Sequence, residues 1–426
     1  MSVGRAPAIE RLVTAWRRVD RAELRRALEN SRLCQPVAAD ADVDELVETH
    51  ETVLRDIADH LAPTYTLRLP ANRRAPWFDA DCRDARHECS RCERRCRRTH
   101  DVTHRRHWVD ASRRRFHLYR SKEETYWTSR LERDGGAPPL LWRSLSSVLG
   151  RDRDTTGATG HTAEGFVTFF TRRVDEIRAD TAAAPLPDVV DTAPVPLSSC
   201  QPCTEADVRR IIMSSPVKSC SLDPMLTFLL REYADLFTPY VTAIVNASLS
   251  QGRLPDSQKH AIVLPLLRKP GLDTADMANF RPVSNLSFLS KVTERVVARQ
   301  VNSYLTENGL LPRCQSAYRR HHSTETDMLR VLSDALTAAD NHQVTLLGML
   351  DLSAAFDCVD HLILLQRLER NFGLTDAVLQ WITSFLTGRT QQVIYDGRLS
   401  AIQQVRFGVP QGSVLGPCSL PSTPLK

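Results

Sequence analysis

The sequence predicts an α+β protein with its helices concentrated in the N-terminal part and its strands in the C-terminal part. Three observations carry that expectation. Apolar residues recur at helical spacing over residues 1–62 and 79–131. Residues 151–202 are rich in Thr, Ala, Pro, Ser and Asp and read as a linker. From Thr204 onward apolar residues are denser, and residues 344–350 form a strand-length apolar run followed by a helical pattern. The expected domains are therefore a mainly helical, Arg-rich extension over 1–150, a linker with a short helix over 151–203, and a mixed unit over 204–426.

In the first region, Val43, Leu46, Val47, Leu54, Ile57 and Leu61 mark one helix face, and Asp40 or Asp42 is placed to cap its start. Pro63, Pro70 and Pro76 interrupt the pattern before it resumes near Asp79. Trp108, Phe116, Tyr119, Tyr126 and Trp127 then fall within about a 100° arc at about 100° per residue. That face either packs on a neighbouring helix or offers a platform for stacking bases. Asp134-Gly135-Gly136 and Pro138-Pro139 end the helix. In the linker, a short apolar patch at residues 166–170 marks the small helix.

Composition narrows the function classes. The chain has 426 residues, 42% hydrophobic and 25% charged, as a folded protein has and a disordered or collagen-like one does not. No run of about 18 apolar residues occurs, so no membrane span is expected. Met1 is followed by SVGRAPAIERL, without the apolar run of a secretory signal, and an intracellular address is expected. Eleven cysteines cannot all pair within one chain and read as thiols. Cys200-Gln201-Pro202-Cys203 has no second pair at zinc spacing. Cys92, Cys96, His100 and His104 stand four apart, and on a continuous helix they would form a stripe about 18 Å long that one ion cannot collect.

The net charge is +5, from 56 basic and 51 acidic residues. Residues 71–133 hold 18 basic against 10 acidic side chains, a local +8 that leaves the rest of the chain at −3. Only six of the basic residues are lysines. Arginine grips phosphate through a planar fork, so this segment is either a nucleic-acid contact or a solvated helix face.

Four segments in the C-terminal half carry the chemistry. The first is Lys269-Pro270-Gly271 followed by NFRPVSNL, which includes Arg281. The second is QSAYR ending at Arg319, running into Ser323 and Thr324. The third is LDLSAAFDCVDH, with Asp351 at the end of the apolar run and Phe356 five residues on. The fourth is GVPQGSVLGP, with Gln411 and Gly412 in a glycine-rich turn. A carboxylate at a strand mouth suits a metal ion facing a phosphate, and equally a helix N-cap. A glycine-rich turn lets backbone approach a ligand closely, and equally makes a tight surface turn. Lys269 and Arg281 read as phosphate contacts or as ordinary surface charges.

In this order and spacing, the segments resemble the reverse transcriptase domain of LINE-type (non-LTR) retrotransposons, of the jockey-like kind. The resemblance is strong from about Ile262 to Pro417. RPVSNLSFLSKVTERVVARQ, LDLSAAFDCVDHLILL and GVPQGSVLGP are specific in combination. A weaker match runs through Ala75-Pro76-Trp77-Phe78-Asp79, the Arg-rich helix, and residues 141–151. The resemblance implies a right-hand polymerase fingers-palm unit and two-metal nucleotidyl transfer with Mg²⁺. It implies an RNA template, a DNA primer and deoxynucleoside triphosphates as partners. On that basis Asp351 is the metal-binding catalytic aspartate and Leu352 offers its carbonyl to the metal. Phe356 crowds the sugar 2′ position, and Gln411 and Gly412 lie against nucleotide and template. Lys269 and Arg281 grip the triphosphate, while Arg319, Ser323 and Thr324 lie near the template.

The family pattern continues with an apolar helix and a hairpin bearing two adjacent aspartates, whereas here Pro417 is followed by CSLPSTPLK. The expectation is an incomplete palm without a thumb, an internal piece of an element's polyprotein with little or no polymerase activity by itself. Two further expectations stand beside it. One is a non-catalytic nucleic-acid binder using the basic helices around Arg91 to Arg115. The other is an unstable remnant whose unfinished sheet exposes apolar edges.

Overall fold

The computed structural model describes residues 9–16, 19–38, 40–69, 75–136, 140–141, 144, 160–182, 195–217, 220–269, 271–312, 314–319, 321–350 and 354–416. The chain forms two compact units, one of residues 1–14 with 64–157 and the other of residues 15–63 with 158–426.

In the first unit, strands β1 (Ile9–Thr14) and β2 (Thr64–Leu69) pair antiparallel, Ile9 opposite Leu69 and Thr14 opposite Thr64. A helical reading of residues 1–62 misses β1. Its partner lies about fifty residues away, and local periodicity cannot register a non-local pairing.

The long helix expected over 79–131 is two helices. Helix α3 spans Ala80–Thr99 and α4 spans Val102–Asp134; the helices that precede them belong to the second unit. His100 turns left-handed (φ 50°) to end α3, and Asp101 caps α4 by accepting from the Thr103 N–H. The chain folds back, so the Cys/His stripe is divided between two helices. Among the described residues, no group of three or more His, Cys, Asp or Glu is arranged to hold a metal. Cys82, Cys89 and Ala111 are buried in the seam. Tyr119 donates to the Cys82 carbonyl at 3.2 Å and meets the rings of Trp77 and Phe78. Lys122 bridges Asp79 and Asp81 at 2.6 and 2.8 Å. The aromatics of α4 do not share one fate: Tyr119 packs while Phe116 is 61% exposed.

The second unit has a helical layer and a small sheet. Helix α1 (Arg21–Glu29) and helix α2 (Val43–Leu61) bury Leu24, Leu28, Val43, Leu46, Val47 and Leu54. Asp42, not Asp40, caps α2. Helix α5 (Ala163–Thr181) is longer than the patch at 166–170 announced. Helices α6 (Glu205–Ser214), α7 (Thr227–Glu232), α8 (Ala234–Ser250) and α9 (Phe288–Glu307) follow, then α10 (Thr324–Asp340), α11 (His361–Arg370) and α12 (Asp376–Leu386). Helices α1, α2, α6, α8, α9, α11 and α12 contribute to one apolar core that includes Phe237, Val297, Trp381 and Phe385.

The sheet runs β4 (Phe280–Asn285), β3 (His260–Leu267), β5 (Thr390–Tyr395) and β6 (Arg398–Leu399), with β7 (Gln403–Gln404) also on β5. β3 is antiparallel to β4 and parallel to β5. Helix α5 covers it: Phe166, fully buried, lies 5.0 Å from the Phe280 ring and 4.8 Å from the Tyr395 ring. Burying one such side chain is worth roughly 1.5–3 kcal/mol. A helix that covers a small sheet needs only a narrow apolar stripe, so the sequence shows no long run there.

Residues 344–350, expected as a strand, form no regular element in the structure. Val344, Leu346, Met349 and Leu350 are 97, 96, 85 and 89% exposed. Helix α11 starts at His361 rather than just after Asp351, with Asp360 capping Leu362 and Ile363.

A basic cleft as the candidate functional site

A cleft of about 920 Å³ opens between the sheet, the second half of α5, and the loops at 354–357 and 405–411. Among the described residues, Arg173, Arg268, Lys269, Arg281, Arg389 and Arg406 line it, with Asp175 and Asp357 as the carboxylates. A cleft lined by one sign of charge concentrates counter-ions of the other.

The glycine-rich turn is fastened to the cleft wall by its backbone. The Gly408 N–H donates to the Val359 carbonyl at 2.8 Å and the Val409 N–H to the Phe356 carbonyl at 2.7 Å. On the other side, the Ser284 N–H donates to the Gln411 carbonyl at 2.7 Å. Two glycines make this closeness possible. A Cβ on Gly408 (φ 82°) would sit 2.6 Å from the Asp357 carbonyl oxygen, and one on Gly412 (φ 121°) 2.6 Å from that of Ser284. His361 Nε2 meets the Gly408 carbonyl oxygen at 2.7 Å.

Two carboxylates, the half-buried Asp357 and the fully buried Glu294, hold the turn. Gln411 Nε2 donates to both oxygens of Asp357, at 2.9 and 2.8 Å. Burial pushes the Asp357 carboxyl up to about 6, with Gln411, Arg173 and Arg268 pulling the other way. Glu294 on α9 is fully buried and accepts from the Val414 and Leu415 N–H groups and from Ser290 Oγ. Burial raises its pKa, opposed first by the Arg389 charge. Arg389 is itself 2% exposed and pushed down to about 10 by burial. Its Nη1 donates to the Phe385 carbonyl at 2.8 Å, while its buried Nη2 has no acceptor among the described residues. That spare donor on a cleft-lining arginine suits an anion or a water.

Of the residues singled out in the sequence, Lys269, Arg281 and Gln411 line this one cleft. Gly412 touches the Ser284 backbone, and Phe356 packs partly buried beneath the turn. Arg319, Ser323 and Thr324 are not among the cleft's lining residues. Ser323 is the N-cap of α10, accepting from the Thr326 N–H. Asp351 and Leu352 lie outside the described residues. Sequence reasoning passed over Asp357, Arg173, Arg268, Arg389, Arg406 and Glu294. Glu294 did leave a signal, because it interrupts an otherwise apolar stripe with Val297 and Val301 three and seven residues on.

Residues 267–421 match the family described as reverse transcriptase (RNA-dependent DNA polymerase). The chain is 28% identical, over 96% of its length and 46% of the relative's, to the probable RNA-directed DNA polymerase from transposon X-element of Drosophila melanogaster. It is 32% identical, over 50% of its length and 23% of the relative's, to the RNA-directed DNA polymerase from mobile element jockey of the same species. It is 32% identical to the probable RNA-directed DNA polymerase from transposon BS of that species, over 54% of this chain and 26% of the relative. The chain thus spans about half or less of each curated relative's length. Among the described residues, no helix is long and apolar enough to cross a membrane.

Proposed function

We infer, from the match of residues 267–421 to the reverse transcriptase family and from the likeness to RNA-directed DNA polymerases of mobile elements, that the basic cleft receives a deoxynucleoside triphosphate for RNA-templated extension of a DNA primer. The observation that carries this reading is the set of six basic residues that line the same cleft as the Gln411 turn. A triphosphate brings several negative charges. Lys269 and Arg281 would neutralise and orient them through charge-assisted hydrogen bonds. Gly412, free of a side chain, lets the turn lie close to a nucleotide and its template base. With Nε2 held by Asp357, Gln411 keeps its amide oxygen as an acceptor for that neighbour. Phe356 would stand beside the sugar, and Arg319, Ser323 and Thr324 would lie along the RNA template.

Both oxygens of Asp357 are engaged by Gln411, so the reading assigns Mg²⁺ to the Asp351 carboxylate and the Leu352 carbonyl instead. Bound there, the metal would polarise the reacting phosphate and the primer hydroxyl.

Nucleotide binding by the whole chain tests the reading, with a fluorescent deoxynucleoside triphosphate in Mg²⁺ buffer. Removing one charged hydrogen bond is expected to weaken binding about tenfold in either Lys269→Ala or Arg281→Ala. Equal affinity in wild type and both variants would overturn the assignment. On an RNA template with a DNA primer, any incorporation should be abolished by Asp351→Asn.

A further inference from the structure

The first unit carries a charged surface that the cleft chemistry does not use. Within α3, the side packed on α4 is marked by Cys82, Cys89 and Cys96. At about 100° per residue, Arg91, Arg94, Arg95 and Arg98 fall between about 140° and 240° from Cys89. They therefore crowd the face opposite the seam, within about 10 Å along the axis. All four are exposed. Among the described residues no carboxylate lies within ion-pair distance of any of them. The nearby Glu93 and Glu88 are taken by Arg97 and Arg114, at 2.6 and 2.9 Å. Asp84 shares the arc, but about 10 Å further along the axis from Arg91. Arg105 and Arg106, also exposed, open α4 just beyond the turn.

We propose that this outer face of α3 is a docking surface for the phosphate backbone of a nucleic acid, separate from the nucleotide cleft. Four like charges at such spacing repel one another, and a polyanion with regularly spaced phosphates removes that repulsion while releasing its own counter-ions. The residue choice fits: every basic side chain of α3 other than His87 is arginine, whose fork matches phosphate oxygens in pairs. An anionic membrane fits less well. A helix that lies on a bilayer inserts an apolar face, and the apolar stripe of α3 is already packed on α4.

The test measures binding of the whole chain to a labelled single-stranded RNA and to a DNA duplex over a range of salt concentrations. The variant is Arg91→Gln, Arg94→Gln, Arg95→Gln and Arg98→Gln combined, which keeps good helix formers at exposed sites. The expected result is a loss of at least tenfold in affinity. The log–log salt slope for the single strand should shrink by about 3, near 0.7 for each phosphate that is no longer neutralised. Replacing the same four by lysine should keep most of the slope. A charge-matched control, with Gln at Arg26, Arg209, Arg370 and Arg398, should bind as wild type does. Far-ultraviolet circular dichroism checks that each variant is folded. Three results would overturn the proposal: unchanged affinity and slope in the Gln variant, an equal loss in the control, or a loss seen with phosphatidylserine vesicles and not with nucleic acid.

Discussion

Helices α9 and α10 look alike as sequence and differ completely as structure. They are 20 and 17 residues long, and each is capped by a serine whose hydroxyl accepts a backbone N–H three residues on. Each carries an apolar stripe. Yet α9 buries eleven residues, among them Val292, Val296, Val297 and Val301, and α10 buries none. Met328, Leu329, Leu332 and Leu336 are all more than half exposed, and the apolar run at 344–350 continues the exposure. Caps and periodicity decide that a helix forms. They do not decide whether a surface exists to cover it, which depends on distant parts of a chain or on another one.

The strongest way to break this contrast is to place a charge on the covered side. Val297 is fully buried in the main core. Val297→Asp must either bury an unpaired carboxylate or protonate it, and we expect a loss of more than about 4 kcal/mol, enough to abolish cooperative unfolding. Urea titration followed by circular dichroism checks it. A native-like transition in this variant would mean that Val297 is not packed in the main core.

A smaller effect sharpens the comparison within the covered region, where the Gln411 turn rests on Asp357. The Asp357 carboxyl sits at about 6 when folded, against an ordinary value of 3.8. The native state therefore holds a proton that the unfolded chain has released, and stability falls as pH rises between those values. The loss is up to about 3 kcal/mol, at 1.36 kcal/mol for each pH unit. Asp357→Asn removes this dependence. Relative to wild type, the variant should gain stability between pH 4 and pH 7, measured by urea midpoints at each pH. A difference that does not change with pH would show that Asp357 is well solvated. Asp223 is also raised to about 6 by burial, but it is common to both proteins and cancels in the difference.

Much of the site was legible because its motifs are local. GVPQGSVLGP announced a backbone turn that approaches its neighbours closely, and Gly408 and Gly412 occupy such positions. Lys269 and Arg281 lie on or beside two adjacent strands, so one pairing brings both to the cleft. What stayed hidden depends on contacts between distant segments. Arg173 reaches the cleft from α5, a helix that reads as linker because its apolar contact with the small sheet comes from a short stretch, Ala163, Phe166, Val167 and Phe170. Arg389 and Glu294, nearly a hundred residues apart, share a buried environment that spacing could not announce. The break at His100 was hidden for a different reason. A single left-handed residue reverses the chain without disturbing the composition on either side.

The smallest expected effect lies on the uncovered side and is the most direct test of the difference between the two helices. Leu332 is 54% exposed and touches no core, so Leu332→Gln removes little burial and keeps helix propensity. Its unfolding free energy should stay within about 0.5 kcal/mol of wild type. Combining it with Met328→Gln, Leu329→Gln and Leu336→Gln should leave the urea midpoint nearly unchanged while lowering the binding of a hydrophobic dye. Unchanged stability with less dye binding is what an uncovered apolar stripe requires. A loss above about 2 kcal/mol would mean that α10 is packed in solution, as burial of several such side chains demands. Helices α9 and α10 would then differ only in which surface covers them.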